Sequence, residues 1–148
     1  MKPSTAIERP LLFVDTWGWI VLADSQDARH HEVVALPRRH TETGILVTTD
    51  YILDETFTRL FRGSPFREAE RFSAGLLRAR EAGIVRVESV TPERFAAAYR
   101  LLLRYRDKPR ISFTDLTSFV VMQEMGITDA LTGDAHFAAV QLGFRVVP

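Results

Sequence analysis

Apolar positions along the chain fall into two alternating kinds of segment. Short runs, mostly rich in β-branched residues, at 11–14, 45–47, 84–87 and 144–147 predict strands, and 130–132 predicts a fifth. The stretches between them repeat apolar residues every three or four positions, the helical period. One such stripe is Leu53, Phe57, Leu60 and Phe61 after Asp50, with Gly63 at its end. A second is Phe66, Ala69, Phe72, Leu76 and Leu77, and a third is Phe95, Ala98, Tyr99, Leu102 and Leu103. Ser64-Pro65 and Thr91-Pro92 each set a capping hydroxyl before a proline at the first helical position. A further helix is predicted from near Ser112 to Gly126, and Pro37 predicts a break in a helix begun near Asp27. Short strands alternating with helices define an α/β domain on a mostly parallel sheet, here a single unit over residues 10–148.

Composition narrows the chemistry. The chain has 148 residues, 46% of them apolar, with 19 basic residues balanced by 19 acidic ones, so no net field draws the whole molecule to nucleic acid. It has no cysteine, which removes disulfide scaffolds, thiolate zinc sites, iron–sulfur clusters and cysteine nucleophiles. The longest strongly apolar run, 17–23, is far short of the roughly 20 residues needed to cross a bilayer, and residues 1–10 lack the apolar core of a secretory signal. The expectation is a cytoplasmic protein without a membrane partner.

In open α/β sheets chemistry gathers beyond the carboxyl ends of the strands, so acids at strand ends come first. Asp15 closes the first strand, Asp134 follows 130–132 through Gly133, Asp115 lies in the first turn of the Ser112 helix, and Asp54 and Glu55 lie in the helix after the second strand. Four ionised carboxylates in one pocket would repel, at ~4 kcal/mol per pair 4 Å apart at an effective dielectric of 20, unless some protonate or a cation enters. Oxygen donors without cysteine favour Mg²⁺ or Mn²⁺ over Zn²⁺. Such an ion can activate water and stabilise charge on a phosphoryl oxygen, which points to phosphodiester hydrolysis. Each acid also has a plainer role open to it. Asp15 and Asp134 can cap helices, Ser112-x-x-Asp115 approaches a capping box, and Glu55 stands four residues before Arg59, an ion-pair spacing.

Ile111-Ser112-Phe113-Thr114-Asp115, Leu131-Thr132-Gly133-Asp134-Ala135-His136-Phe137, Val14-Asp15-Thr16 and Tyr51-Ile52-Leu53-Asp54-Glu55 together resemble the PIN-domain ribonucleases, particularly toxins of the VapC type. The four acids arrive in that family's order, 40, 60 and 19 residues apart. The resemblance implies a PIN-like three-layer α/β/α sandwich with a twisted, mostly parallel sheet of four to five strands. It implies that Asp15, Glu55, Asp115 and Asp134 bind Mg²⁺ or Mn²⁺ and cut RNA, with Thr16 and Thr132 orienting ligands or water. It further implies a cognate antitoxin and a homodimer. Glu55 is preferred to Asp54 on the family pattern, since adjacent helical residues point about 100° apart. An RNA-processing nuclease outside a toxin pair and a non-catalytic RNA- or protein-binding module are the alternatives. A phosphoryl-transfer receiver is disfavoured, because Asp15-Thr16-Trp17 lacks the second acid of an Asp-x-Asp nucleophile.

With zero net charge, RNA must be held by local patches. Arg104, Arg106, Lys108 and Arg110, following Arg100, are the first candidates, and Arg38-Arg39-His40 is another. Arg59, Arg62 and Arg67 around Gly63 are a third candidate patch, although the Arg59–Arg62 pair reads rather as structural or antitoxin-facing. His136 reads as a polar helix-surface residue or a proton-transfer group, and His30-His31 as surface. Trp17, Trp19, Tyr51 and Phe61 read as core or interface aromatics, with base stacking as the alternative.

Overall fold

The computed structural model describes residues 10–148, with the backbone alone for residues 37–43. Its elements in chain order are β1 (Leu11–Val14), α1 (Thr16–Ala23), α2 (His30–Thr43), β2 (Ile45–Thr49), α3 (Asp50–Gly63) and α4 (Phe66–Glu81). There follow β3 (Val85–Glu88), α5 (Pro92–Arg104), α6 (Phe113–Met125), β4 (Asp129–Leu131), α7 (His136–Ala139) and β5 (Arg145–Val147). The strands form one sheet in the order β3-β2-β1-β4-β5, and every pairing is parallel.

That order makes β1 the pivot of the domain. The chain runs outward from β1 through β2 to β3, then crosses back to β4 on the other side of β1 and ends on β5. Right-handed crossovers therefore place the helices before β3 and those after it on opposite faces. In accord with this, α1 to α4 pack on one another and α5 packs on α6. Reversal of the strand order about β1 opens a crevice beyond its carboxyl end, where Asp15 stands.

The core explains the strand sequences. Leu12, Phe13 and Val14 of β1 are fully buried, as continuous apolar runs in a doubly covered parallel sheet should be. Helix α6 is buried without interruption from Asp115 to Met122, so it has no solvent-exposed side along that length. Gly126, at φ +66°, ends α6 in the left-handed conformation. Thr91 caps α5 by accepting the Arg94 N–H, with Pro92 in the first turn.

Two sequence expectations are corrected. Helix α4 begins at Phe66 with Pro65 as its N-cap and no side-chain cap. Only two residues separate α3 from α4, so Ser64 instead closes α3, its N–H donating to the Leu60 carbonyl. Helix α2 continues across Pro37, whose missing N–H costs one backbone bond without ending the helix. Of the apolar stripe of α5 only Ala98 is buried in the core, and Phe95, Tyr99, Leu102 and Leu103 are each at least 40% exposed.

Candidate metal centre

Asp15 occupies the N-cap position of α1 but does not cap it. Its side chain, 7% exposed, turns instead toward β4, where Oδ2 accepts the Thr132 hydroxyl at 2.8 Å. The same Thr132 oxygen accepts the backbone N–H of Asp134 at 3.0 Å. One hydroxyl thus ties the end of β1 to the turn after β4. Gly133 makes that turn possible: a Cβ there would lie 2.6 Å from the Trp17 indole nitrogen. Asp134 Oδ1 accepts the backbone N–H of His136 at 2.8 Å and lies 3.0 Å from His136 Nδ1.

Asp115 serves two purposes at once. It completes a reciprocal capping box, in which its N–H donates to Ser112 Oγ at 3.0 Å and its Oδ2 accepts the Ser112 N–H at 3.2 Å. It also lines a pocket of about 470 Å³ with Asp15, Glu55 and Asp134. Glu55 faces this pocket, whereas Asp54 is exposed and lines only the adjoining groove. The structure therefore brings together four carboxylates drawn from four separate segments.

Their crowding is visible in the protonation equilibria. Burial pushes Asp115 up to about 7, with the charges of Asp15 and Asp134 adding to it. Burial likewise raises Asp15, with smaller contributions from Glu55 and Asp134, against the lowering effect of the bonds from Thr132 and the Thr16 N–H. A divalent cation would relieve this repulsion, and the donors fit one. Single ligand atoms of Asp115, Asp134 and His136 lie within 4.8 Å of one another. The Thr16 hydroxyl, on a buried residue lining the pocket, has no hydrogen-bond partner among the described residues. Such an orphan donor suits an ordered water beside an ion.

Two residues at the pocket carry more than the sequence reading gave them. His136 is half-buried against Asp134 rather than on an outer helix surface. Arg59, read as structural or antitoxin-facing, reaches into the pocket wall and pairs with Glu55, Nη2 to Oε1 at 2.8 Å. The i, i+2 and i, i+4 spacings were visible in both cases, but not the pocket they share. Of the basic run, Arg110 lines the pocket, while Arg104, Arg106 and Lys108 are not among its lining residues. Arg104 lies over the Tyr105 ring and Lys108 is near Asp107. The side chains of Arg38, Arg39 and His40 lie outside the described residues. Trp19 belongs to the core, its indole N–H donating to Thr48 Oγ1 at 3.2 Å, and Trp17 packs partly buried against that core.

A parallel sheet of this order with acids beyond β1 and β4, at the first turn of α6 and within α3, defines a nuclease-like α/β fold. The chain belongs to the PIN-domain family, whose model matches residues 12–142. Among curated proteins it is similar to the 23S rRNA-specific endonuclease VapC20 of Mycobacterium tuberculosis. The two are 36% identical over 129 residues, which cover 87% of this chain and 93% of the relative. Among solved structures it is similar to the crystal structure of that VapC20, described as a sarcin–ricin loop cleaving toxin. There the TM-score is 0.77 at 35% identity, covering 93% of this chain and 99% of the other. The toxin–antitoxin assembly VapBC2 of Rickettsia felis, bound to a DNA fragment from its promoter, matches at TM-score 0.71 and 8% identity. That match covers 92% of this chain and 96% of the other and shows the shared fold alone. No helix among the described residues is long and apolar enough to cross a membrane.

Proposed function

We propose that this chain is a Mg²⁺- or Mn²⁺-dependent endoribonuclease, the toxin of a type II toxin–antitoxin pair held in check by a cognate antitoxin and acting in the cytoplasm. The observation that carries the reading is the convergence of Asp15, Glu55, Asp115 and Asp134 on one pocket. The 36% identity to an rRNA endonuclease, over nearly the whole of both chains, supports RNA as substrate and the toxin role.

Asp15, Asp115 and Asp134 would hold the ion, and His136, whose ring nitrogen lies within 4.8 Å of ligand atoms of Asp115 and Asp134, could join them. When bound, the ion supplies Lewis-acid stabilisation of charge on the scissile phosphoryl group and favours deprotonation of an attacking water. Everything else is positioning by the chain. Thr132 fixes the Asp15 carboxylate and the Asp134 backbone together, and Ser112 locks Asp115 to the start of α6. The unpartnered Thr16 hydroxyl orients a ligand or water. Glu55, bonded only to an exposed arginine, is free to complete the ligand set or to direct the water for in-line attack. Arg110 at the pocket, with Arg104, Arg106 and Lys108 beyond it, contacts RNA phosphates. The unburied stripe of α5 is the face on which two copies form a homodimer.

The test uses the purified chain, Mn²⁺ and 23S rRNA, the substrate of the similar VapC20. Asp15→Asn keeps an acceptor for Thr132 and so preserves the fold. Cleavage should fall by more than the ~10–100-fold that loss of an outer-shell partner costs. Undiminished cleavage by well-folded Asp15→Asn and Asp115→Asn proteins would remove the proposal.

A further inference from the structure

Beside the carboxylate pocket, along the outer side of α3, lies a second hollow of about 490 Å³ lined by Tyr51, Asp54, Thr58, Arg62 and Thr114. It shares two residues with the first, Glu55 and Arg59, so the two spaces adjoin across this ion pair. We propose that this hollow is a subsite for RNA phosphates next to the scissile bond, and that Arg59 is its switch, bonded to Glu55 in the metal-free protein and released to the RNA backbone when a divalent ion claims that carboxylate. This rests on the metal-nuclease reading above and extends it to how the substrate strand is held.

Charge balance decides when the hollow can accept a phosphate. Arg59 and Arg62 face Asp54 and Glu55, two cations against two anions, with Arg59 bonded to Glu55 at 2.8 Å. Once Glu55 serves an ion, two arginines face Asp54 alone and the hollow becomes net positive. Arg59 is exposed, and its side chain can turn to a phosphate without disturbing the core. Guanidinium groups suit that partner, since their planar fork matches two phosphate oxygens. Tyr51 and Thr114 add a phenolic and an aliphatic hydroxyl to the same wall. Substrate affinity in this half of the site is thereby made conditional on the metal, so that RNA is gripped where it can be cut.

The experiment pairs two readouts on the full chain. In Mn²⁺ calorimetry without RNA, Arg59→Gln should bind the ion about two- to five-fold more tightly, the effect of removing one exposed ion pair that competes for Glu55. Arg110→Gln, a pocket cation without a bond to Glu55, should change Mn²⁺ affinity less. For a short 2′-O-methyl single-stranded RNA, Arg59→Gln should weaken binding several-fold more in Mn²⁺, where a direct contact is lost, than in EDTA, where only the unmasked Glu55 charge acts. Arg62→Gln should weaken it in both. In Mn²⁺ each substitution should lower the slope of log affinity against log salt by about 0.7, one phosphate contact on a single strand. Equal tightening of Mn²⁺ by Arg110→Gln, or an Arg59→Gln loss of RNA binding as large in EDTA as in Mn²⁺, overturns the switch. If the wild type binds no Mn²⁺, it is the underlying metal-centre reading that fails, and the two failures are thereby distinguished.

Discussion

Asp115 is pulled in two directions by its surroundings. Its place in the first turn of α6 and its bond from the Ser112 N–H favour the anion, while burial and the charges of Asp15 and Asp134 favour the acid. The acid gains, and the group is raised from 3.8 to about 7. Between those values the native protein holds a proton that the unfolded chain releases, so this group's contribution to stability is fullest below about pH 4 and is lost as pH rises toward 7. Asp15 is shifted in the same direction and adds to the slope. A divalent ion prefers the deprotonated pair, so its stabilising effect should grow over the same window. Thermal unfolding should therefore show Tm in EDTA falling from about pH 5 to about pH 8, and the increment from Mn²⁺ rising as it does. Asp115→Asn keeps the cap acceptor, should flatten both trends, and should stabilise the metal-free protein at pH 8 by ~1 kcal/mol or more. A Mn²⁺ increment indifferent to pH would show that the carboxylates do not share an ion.

Elements reveal where local pattern suffices and where it fails. The central strands were legible because buried parallel strands must be continuous apolar runs, the edge strands β3 and β5 from their β-branched residues, and Thr91 and Ser112 because a capping side chain acts within four residues of itself. Ser64 misled because a two-residue junction makes one residue's N-cap its neighbour's C-cap, a conflict settled by geometry. The acids at strand ends were legible one by one, whereas their convergence depends on β1 lying between β2 and β4, which no local window contains. At 100° per residue Glu55 lies nearly opposite the Leu53, Phe57 and Leu60 stripe of α3, which by itself leaves pocket or solvent open. Its placement beside Asp15 follows from how α3 packs on α1. That packing depends in turn on α1 lying close to the sheet. A Cβ at Gly18 would stand 2.8 Å from the Leu131 carbonyl oxygen, a backbone atom that cannot swing aside. Gly18→Ala should cost ~1–3 kcal/mol in denaturant unfolding despite the better helix propensity of alanine. It should also lower activity by pushing Asp15 away from Thr132. A neutral or stabilising result would mean that α1 slides on β4 and that the two acids are not rigidly set.

At the scale of the whole molecule, zero net charge has two consequences. RNA cannot be drawn in by a general field and must be held by arginines near the pocket, and copies of the chain do not repel one another. The second matters because α5 presents Phe95, Tyr99, Leu102 and Leu103 along one helical face, an apolar stripe that the sequence spacing already outlined. Helical periodicity reports that a face is apolar but not whether its partner lies in the same chain. A stripe on a single helix is suited to a two-fold contact, because α5 against its own copy covers both faces at once. Tyr99→Glu with Leu103→Glu replaces two side chains about half exposed in the single chain, so the monomer should fold with little change in Tm. In sedimentation velocity the wild type should run as a dimer at micromolar concentration and the double variant as a monomer. Mn²⁺ affinity should not change, since no α5 residue lines the carboxylate pocket. A wild type that sediments as a monomer, or a double variant that remains dimeric, would place the self-contact elsewhere and leave the α5 face to a different protein.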